Sequence, residues 1–391
     1  MTRTEPKFTS VEICAGAGGQ AVGLHLADFQ HRALIEIDEH ACATLALNVK
    51  GQGWTGCEVM KEDLTELVPS DLRERLGLEK GQLDLLAGGV PCPPFSAAGK
   101  QLGEDDERDL FPAMLNLVDE ILPKAVMIEN VRGLLSPPKK FQSYRDKIEG
   151  RLKRAGYEIC EWGLLEAWHY GVPQLRPRAI LVAMRPEYVP YFVWPGPDDE
   201  AVKKIPRVTV GEALEKTMRD RFDASGSPLA DAAFKKWYEQ AVMDIAPTLV
   251  GGSKKHGGAD LGPTRAKKAW AKLGVDGLGV ANDPAKLKDP LRDLYGDLGP
   301  KLTVRQAAII QGFPEYWEFT GGKTAAYRQV GNAFPPPVAK AVGDRIAAAL
   351  RKEKIPTAEA AQGIVSVPAQ SIPPKAESGY RTSDLESARL W

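Results

Sequence analysis

Apolar positions along this chain follow two patterns. Phe8–Ile13, Ala33–Ile37, Leu83–Gly89, Lys124–Ile128 and Ala179–Met184 are short, nearly unbroken apolar runs and predict buried strands. Ala21–Phe29 and Leu110–Leu122 carry apolar residues at helical spacing. Strands alternating with amphipathic helices predict an α/β fold: a doubly wound, mostly parallel sheet covered on both faces. Past Trp194-Pro195-Gly196-Pro197 the pattern changes. Residues 203–300 are rich in Gly, Pro and Lys and lack long apolar runs, which predicts a smaller, irregular, loop-rich domain. Order returns at Leu302–Ala308, where Thr303 is placed to cap a helix, and Pro337–Leu350 reads as the last helix. The expected division is a large domain of residues 1–200 completed by 325–350, and a small one of 201–324. The Pro-, Ala-, Ser- and Glu-rich tail 352–391 is expected to be disordered.

Composition narrows this picture. A 391-residue chain with 43% hydrophobic and 26% charged residues is an ordinary globular protein, long enough for two domains. No apolar run approaches the roughly 18 residues of a membrane span, and no signal peptide is evident, so a cytoplasmic protein is expected. Five cysteines with no CxxC pair argue for a reducing compartment and against disulfides or a metal site. The formal net charge of −1 would speak against a nucleic-acid partner, but residues 203–320 hold 19 Lys+Arg against 15 Asp+Glu. Within 248–272 six basic residues face Asp260 alone. Such a loop can bind phosphate backbones, or it can simply be solvated.

Chemistry concentrates at strand ends. Pro91-Cys92-Pro93-Pro94-Phe95-Ser96 follows a strand and sets one thiol on a stiff turn at the carboxyl edge of the sheet, where open α/β folds bind ligands. Cys92 is therefore a candidate nucleophile, although a small buried cysteine would look the same. The turn Ala15-Gly16-Ala17-Gly18-Gly19 permits close approach of a nucleotide-like ligand. Glu36, at the end of the next strand, is placed for ribose hydroxyls, and Asp63 for an adenine amino group. The turn lacks the full GxGxxG pattern and a basic cradle for pyrophosphate, so S-adenosyl-L-methionine fits better than a dinucleotide. Glu129 follows a buried strand at the same edge as Cys92; burial would raise its pKa into the range of a useful acid. Arg176 and Arg178, two residues apart, would point to one face and could grip a base carbonyl, or form surface ion pairs.

In this order the segments Phe8–Gly19, Gly88–Ser96, Ile128-Glu129-Asn130-Val131, Tyr170–Arg178, Leu302–Gln306 and Tyr327–Ala333 resemble the cytosine C5 DNA methyltransferase family. They anchor about two-thirds of the chain. The resemblance implies a Rossmann-like methyltransferase in which Cys92 attacks carbon 6 of a flipped-out cytosine. Glu129 would act on ring nitrogen 3, Arg178 would hold the carbonyl oxygen, and Arg176 would steady the arrangement. It further implies a cofactor site of Cys14, Gly16, Ala17, Gly19, Glu36, Ile37, Asp63, Leu64, Pro91, Leu110, Asn332 and Ala333, releasing S-adenosyl-L-homocysteine.

The stretch from Ser96 through Lys100 and Gln101 to Arg108 is similar to the family's mobile loop. Residues 203–300 correspond to its target-recognition region, with Ser253, Lys254, Lys255, His256, Thr264, Arg265, Lys267 and Lys268 as candidate contacts to double-stranded DNA. A monomer acting on a short target is expected, beside a restriction endonuclease or in an orphan regulatory role, and the Gly- and Lys-rich loop hints at a GC-rich site. Three positions depart from the family pattern: Cys14 for a usual phenylalanine, Pro93 for glutamine and Ile37 for tryptophan. A transfer-RNA methyltransferase and an inactive DNA-binding module are the competing readings.

Overall fold

A computed structural model describes residues 7–91, 109–139, 141–251, 259–284, 289 and 291–354. The expected site residues Cys92, Ser96, Lys100, Gln101, Arg108, Ser253, Lys254, Lys255 and His256 lie outside the described residues, as does all of the tail beyond residue 354.

Seven strands form one sheet in the order β3-β2-β1-β4-β5-β7-β6. They are β1 (Phe8–Ile13), β2 (Phe29–Glu36), β3 (Glu58–Lys61), β4 (Leu85–Gly89), β5 (Ala125–Val131), β6 (Glu158–Glu166) and β7 (Pro177–Met184). The first five run parallel, whereas β7 is antiparallel to both β5 and β6. That reversal brings the start of β7 to the edge where β1, β4 and β5 end, so Arg178 lies opposite Val131. β2 starts at Phe29, before the expected Ala33, because polar His31 is absorbed into the core. Its ring lies within hydrogen-bonding distance of Ser10 Oγ (2.8 Å) and the Ala21 carbonyl (3.0 Å).

Helices α1 (Gly19–Leu26), α2 (Glu39–Gly51), α3 (Pro69–Arg75), α4 (Phe111–Ile121) and α5 (Gln142–Arg154) alternate with the strands. α6 (Glu200–Lys203) follows β7. Residues 203–300, expected to be irregular, contain α7 (Val210–Ala224), α8 (Ala230–Ala241) and α9 (Thr264–Lys272) among their loops. These helices form because Leu214, Met218, Phe222, Trp237 and Trp270 bury one face of each, despite the Gly- and Lys-rich composition between them.

α10 (Val304–Gln311) opens as Thr303 predicts: Thr303 Oγ1 accepts from Gln306 N at 3.1 Å and Gln306 Oε1 accepts from Thr303 N at 3.1 Å. α11 (Lys323–Asn332) and α12 (Pro336–Leu350) close the described fold. α12 crosses α1 so closely that a Cβ on Gly23 would lie 2.5 Å from Ala339 Cβ, and one on Gly343 2.8 Å from Ala27 Cβ. The last helix thereby returns to the first, and α11 ends at the same sheet edge as the glycine turn.

Candidate active site

The edge is assembled from three adjacent strand ends. β4 ends at Gly89 directly opposite Glu129 of β5. A side chain at Gly89 would start 3.0 Å from Glu129 Oε2, so glycine there lets the carboxylate lie across the strand that leads to Pro91 and Cys92. Asn130 then donates from Nδ2 to the Val90 carbonyl at 2.8 Å, fixing the approach to the proline turn. On the other side Arg178 Nε meets Glu129 Oε1 at 2.7 Å, with both side chains less than 15% exposed.

Burial raises the Glu129 pKa, while the charges of Arg178 and Arg176 pull it down. The result is a carboxyl group that can change protonation state without leaving its partner. Asn130 and Arg178 thus hold Val90 and the acid in register.

The two arginines expected on one face part company. Arg178 serves Glu129, but Arg176 is 1% exposed and points into the protein. It donates to three backbone carbonyls, those of Leu249 (2.6 Å), Gly331 (2.8 Å) and Ala333 (2.9 Å). Only a guanidinium offers enough fixed donors to reach all three. Arg176 is therefore a positioning residue, joining the entry of β7 to the 246–251 segment and to the end of α11.

A cavity of about 380 Å³ opens at this edge, in the size range of small-molecule sites. All twelve residues expected around a cofactor line it: Cys14, Gly16, Ala17, Gly19, Glu36, Ile37, Asp63, Leu64, Pro91, Leu110, Asn332 and Ala333. The turn that shapes it carries left-handed backbone at Gly16 and Gly18, and also at Cys14, where φ is 49°. Trp317 Nε1 donates to the Ala17 carbonyl at 2.9 Å and pins the turn from behind. Glu36 Oε2 accepts from Gly16 N at 2.8 Å, and Oε1 from the N–H groups of Ile37 and Asp38. Acceptor capacity remains on both oxygens for ligand hydroxyls. Asp63 Oδ1 is engaged by Thr65, whose hydrogen bonds lower the Asp63 pKa. The same cavity reaches Gly89 and Glu129, so the glycine turn and the buried acid share one space.

Glu12 and Gln20 are among the lining residues that the sequence pattern did not single out. Glu12, in the middle of β1, is wholly buried, and burial pushes its pKa up to about 8. His31 beside it, at 3.3 Å, is pushed down to about 3, by burial first and then by His25. Gln20 Nε2 reaches Glu12 Oε2 at 3.4 Å. The available signal was a carboxylate inside an otherwise apolar strand run.

The other described cysteines are unsuited to attack. Burial raises the thiol pKa of Cys14, Cys42, Cys57 and Cys160, keeping all four protonated.

Arg265, Lys268 and Lys272 are exposed along one face of α9, with Thr264 at its start. Lys267 instead bonds Asp260 at 2.7 Å. Among the described residues no cluster could hold a metal ion, and no helix is long and apolar enough to cross a membrane.

A parallel five-stranded core with a reversed β7 and a cavity at the strand ends is a Rossmann-like α/β fold. Residues 8–348 match the family model for C-5 cytosine-specific DNA methylases, and the chain belongs to that family as a DNA cytosine-5-methyltransferase. It is 52% identical over 344 residues to the type II methyltransferase M.NaeI of Lentzea aerocolonigenes, covering 88% of this chain and 75% of that protein. It is 47% identical over 350 residues to the type II methyltransferase M.NgoMIV of Neisseria gonorrhoeae, covering 89% and 99%. Solved structures share the fold at low identity. DNMT2 of Spodoptera frugiperda aligns with a TM-score of 0.54 at 15% identity, over 87% of this chain and 99% of that one. The methyltransferase EhMeth of Entamoeba histolytica gives 0.57 at 16%, over 88% and 98%.

Proposed function

We propose that this enzyme methylates carbon 5 of a cytosine flipped out of a short, specific duplex DNA sequence, through a transient bond to Cys92. The observation that carries the reading is the single cavity running from Glu36 and Asp63 to Pro91 and Glu129, with Arg178 locked to that acid. S-adenosyl-L-methionine fits its lining: acceptors at one end for ribose and adenine, a glycine turn for close backbone approach, and no basic cradle. When bound it supplies an electrophilic methyl group.

Carbon 5 of cytosine is a poor nucleophile until the ring loses its aromaticity. Attack of the Cys92 thiolate on carbon 6 forms the S–C6 bond and places an electron pair at carbon 5. Glu129 donates a proton or hydrogen bond to ring nitrogen 3, and Arg178 neutralises charge at the carbonyl oxygen. Once carbon 5 carries the methyl group its proton leaves to water, the S–C6 bond breaks and Cys92 is freed. Arg176 acts only through the backbone it holds. Because none of this can occur in a stacked duplex, the base must leave the helix.

Residues 201–324 make up the target-recognition domain beside the catalytic domain. The exposed basic face of α9 and the 252–258 segment meet the DNA. Ser96, Lys100, Gln101 and Arg108 are further candidate contacts to the duplex. The names of M.NaeI and M.NgoMIV support a place in a type II restriction-modification system, where methylation in the cytoplasm protects host DNA from a nuclease.

The test is transfer of labelled methyl to plasmid DNA and to a transfer-RNA pool, with nucleoside mass spectrometry. 5-Methylcytosine in DNA, absent with Cys92→Ser, is the expected result. Label in RNA, or undiminished transfer by Cys92→Ser, would reject the reading.

A further inference from the structure

Residues 246–251 pack against residues that line the cavity, Arg328 and Asn332 among them. Ala246 N donates to the Pro173 carbonyl and Leu175 N to the Ala246 carbonyl, both at 2.8 Å. Leu249 N donates to Gln174 Oε1 at 3.1 Å, and Thr248 Oγ1 donates to the Leu175 carbonyl. Arg176 holds the Leu249 carbonyl with one nitrogen and the Gly331 and Ala333 carbonyls with another. The strap then reaches Gly251, which lies directly on Gly331. A Cβ on Gly331 would come within 2.5 Å of Gly251 Cα. A Cβ on Gly251 would collide with the Asn332 side-chain amide and lie 2.7 Å from the Arg328 carbonyl. Neither glycine has positive φ, so backbone conformation does not demand them; the close approach does. Arg328, Asn332 and Ala333 are cavity-lining residues.

We infer that Gly251 is a positioning residue for the cofactor: its bare backbone sets where Asn332 stands in the cavity wall, and so links DNA engagement to cofactor binding. The inference rests on the reading of the cavity as the S-adenosylmethionine site. By reciprocity, a ligand that fixes Asn332 also fixes the strap, and DNA that fixes the strap also fixes Asn332.

The experiment is calorimetric titration of S-adenosylhomocysteine into the full chain as wild type, Gly251→Ala, Asn332→Ala and the double variant. Far-UV circular dichroism melting checks that each is folded. Gly251→Ala is expected to weaken binding on the order of tenfold, and the double variant to bind no worse than Asn332→Ala. Additive losses, or wild-type affinity in Gly251→Ala, would overturn the inference. Should Gly251→Ala not fold, Thr248→Val loosens the same strap without adding bulk. It should weaken binding about threefold, and unchanged affinity in that folded variant would overturn the inference equally.

Gel retardation of fragments from a plasmid that the wild type methylates supplies the second readout. S-adenosylhomocysteine should tighten retention several-fold for wild type and not for Gly251→Ala; equal tightening in both would count against the link. A wild type that fails to bind S-adenosylhomocysteine at all would instead remove the cofactor reading.

Discussion

The sheet edge and the helical stretch 201–303 are built under different constraints. At the edge, Gly89, Glu129 and Arg178 occupy fixed strand positions, so changing any one misplaces the other two. In the helical stretch, the buried faces of α7, α8 and α9 fix the fold, while Arg265, Lys268 and Lys272 stand free on the outer face. The two regions nonetheless share a core: Trp237, Trp270 and Leu249 belong to the same apolar cluster as Ala15 and Trp317 behind the glycine turn. The edge therefore tolerates little variation, and the outer face of α9 can vary without cost to the fold. The two regions are separate in sequence yet joined in packing.

The sharpest way to break this contrast is to disable the edge while leaving the rest intact. Cys92→Ser should lower methyl transfer by about 10³-fold or more while cofactor binding, measured by calorimetry, stays within about twofold. Glu129→Gln should cost roughly 10²–10⁴-fold in kcat, the range of a positioned acid, with little change in DNA retention. Arg178→Ala removes one half of a buried pair and should also destabilise the chain by about 3–5 kcal/mol in urea unfolding. A folded Glu129→Gln protein with wild-type kcat would remove Glu129 from the chemistry.

Arg176 offers the next test, because it has the same residue type and spacing as Arg178 but a different task. Arg176→Lys keeps the charge and loses the fork that reaches three carbonyls. Stability should fall by about 3 kcal/mol, seen as a lower urea midpoint, and S-adenosylhomocysteine binding should weaken through the loosened strap, while methyl transfer at saturating cofactor and DNA is retained. If Arg176→Lys abolished turnover without changing the midpoint, it would be acting at the substrate and the division between the two arginines would fail.

This pair also shows what the sequence made legible. β1, β4, β5 and β7 could be read to within three residues because each is buried along most of its length. That β7 runs backwards was not readable, since an apolar run carries no direction; yet the reversal is what puts Arg178 beside Glu129. β6 went unread because, at the sheet margin, most of its residues are only half-buried and it lacks a clear apolar run. The helices of 210–272 were obscured by the glycines and lysines between them. Glu12 was passed over because a buried carboxylate looks like a break in a strand until its neighbours are known.

On the outer face of α9, smaller effects are expected. Replacing Arg265, Lys268 and Lys272 with Ala should weaken DNA binding in 50 mM-range salt and flatten the plot of log affinity against log salt. Each lost phosphate contact is worth about one unit of slope. Methyl transfer at saturating DNA should be unchanged. An unaltered salt slope would take α9 out of the DNA interface and leave that role to other parts of the recognition region.

The mildest test concerns Glu12, and its sign follows from the direction of its shift. Burial raises its pKa from 4.5 to about 8, so between those values the folded chain binds more protons than the unfolded chain. Stability associated with Glu12 is complete below pH 4.5 and is lost as pH rises toward 8. His31, lowered from 6.5 to about 3, acts in the opposite sense, with stability lost as pH falls from 6.5 toward 3. The two oppose each other between 4.5 and 6.5, and only Glu12 titrates above that. From pH 6.5 to 8 the wild-type Tm should therefore decline by roughly 4 °C. In Glu12→Gln, whose amide stays neutral in both states, that decline should disappear. Parallel wild-type and Glu12→Gln curves across this window would mean that Glu12 is already ionised in the folded chain. The glycine-turn end of the cavity would then carry a buried charge beside His31.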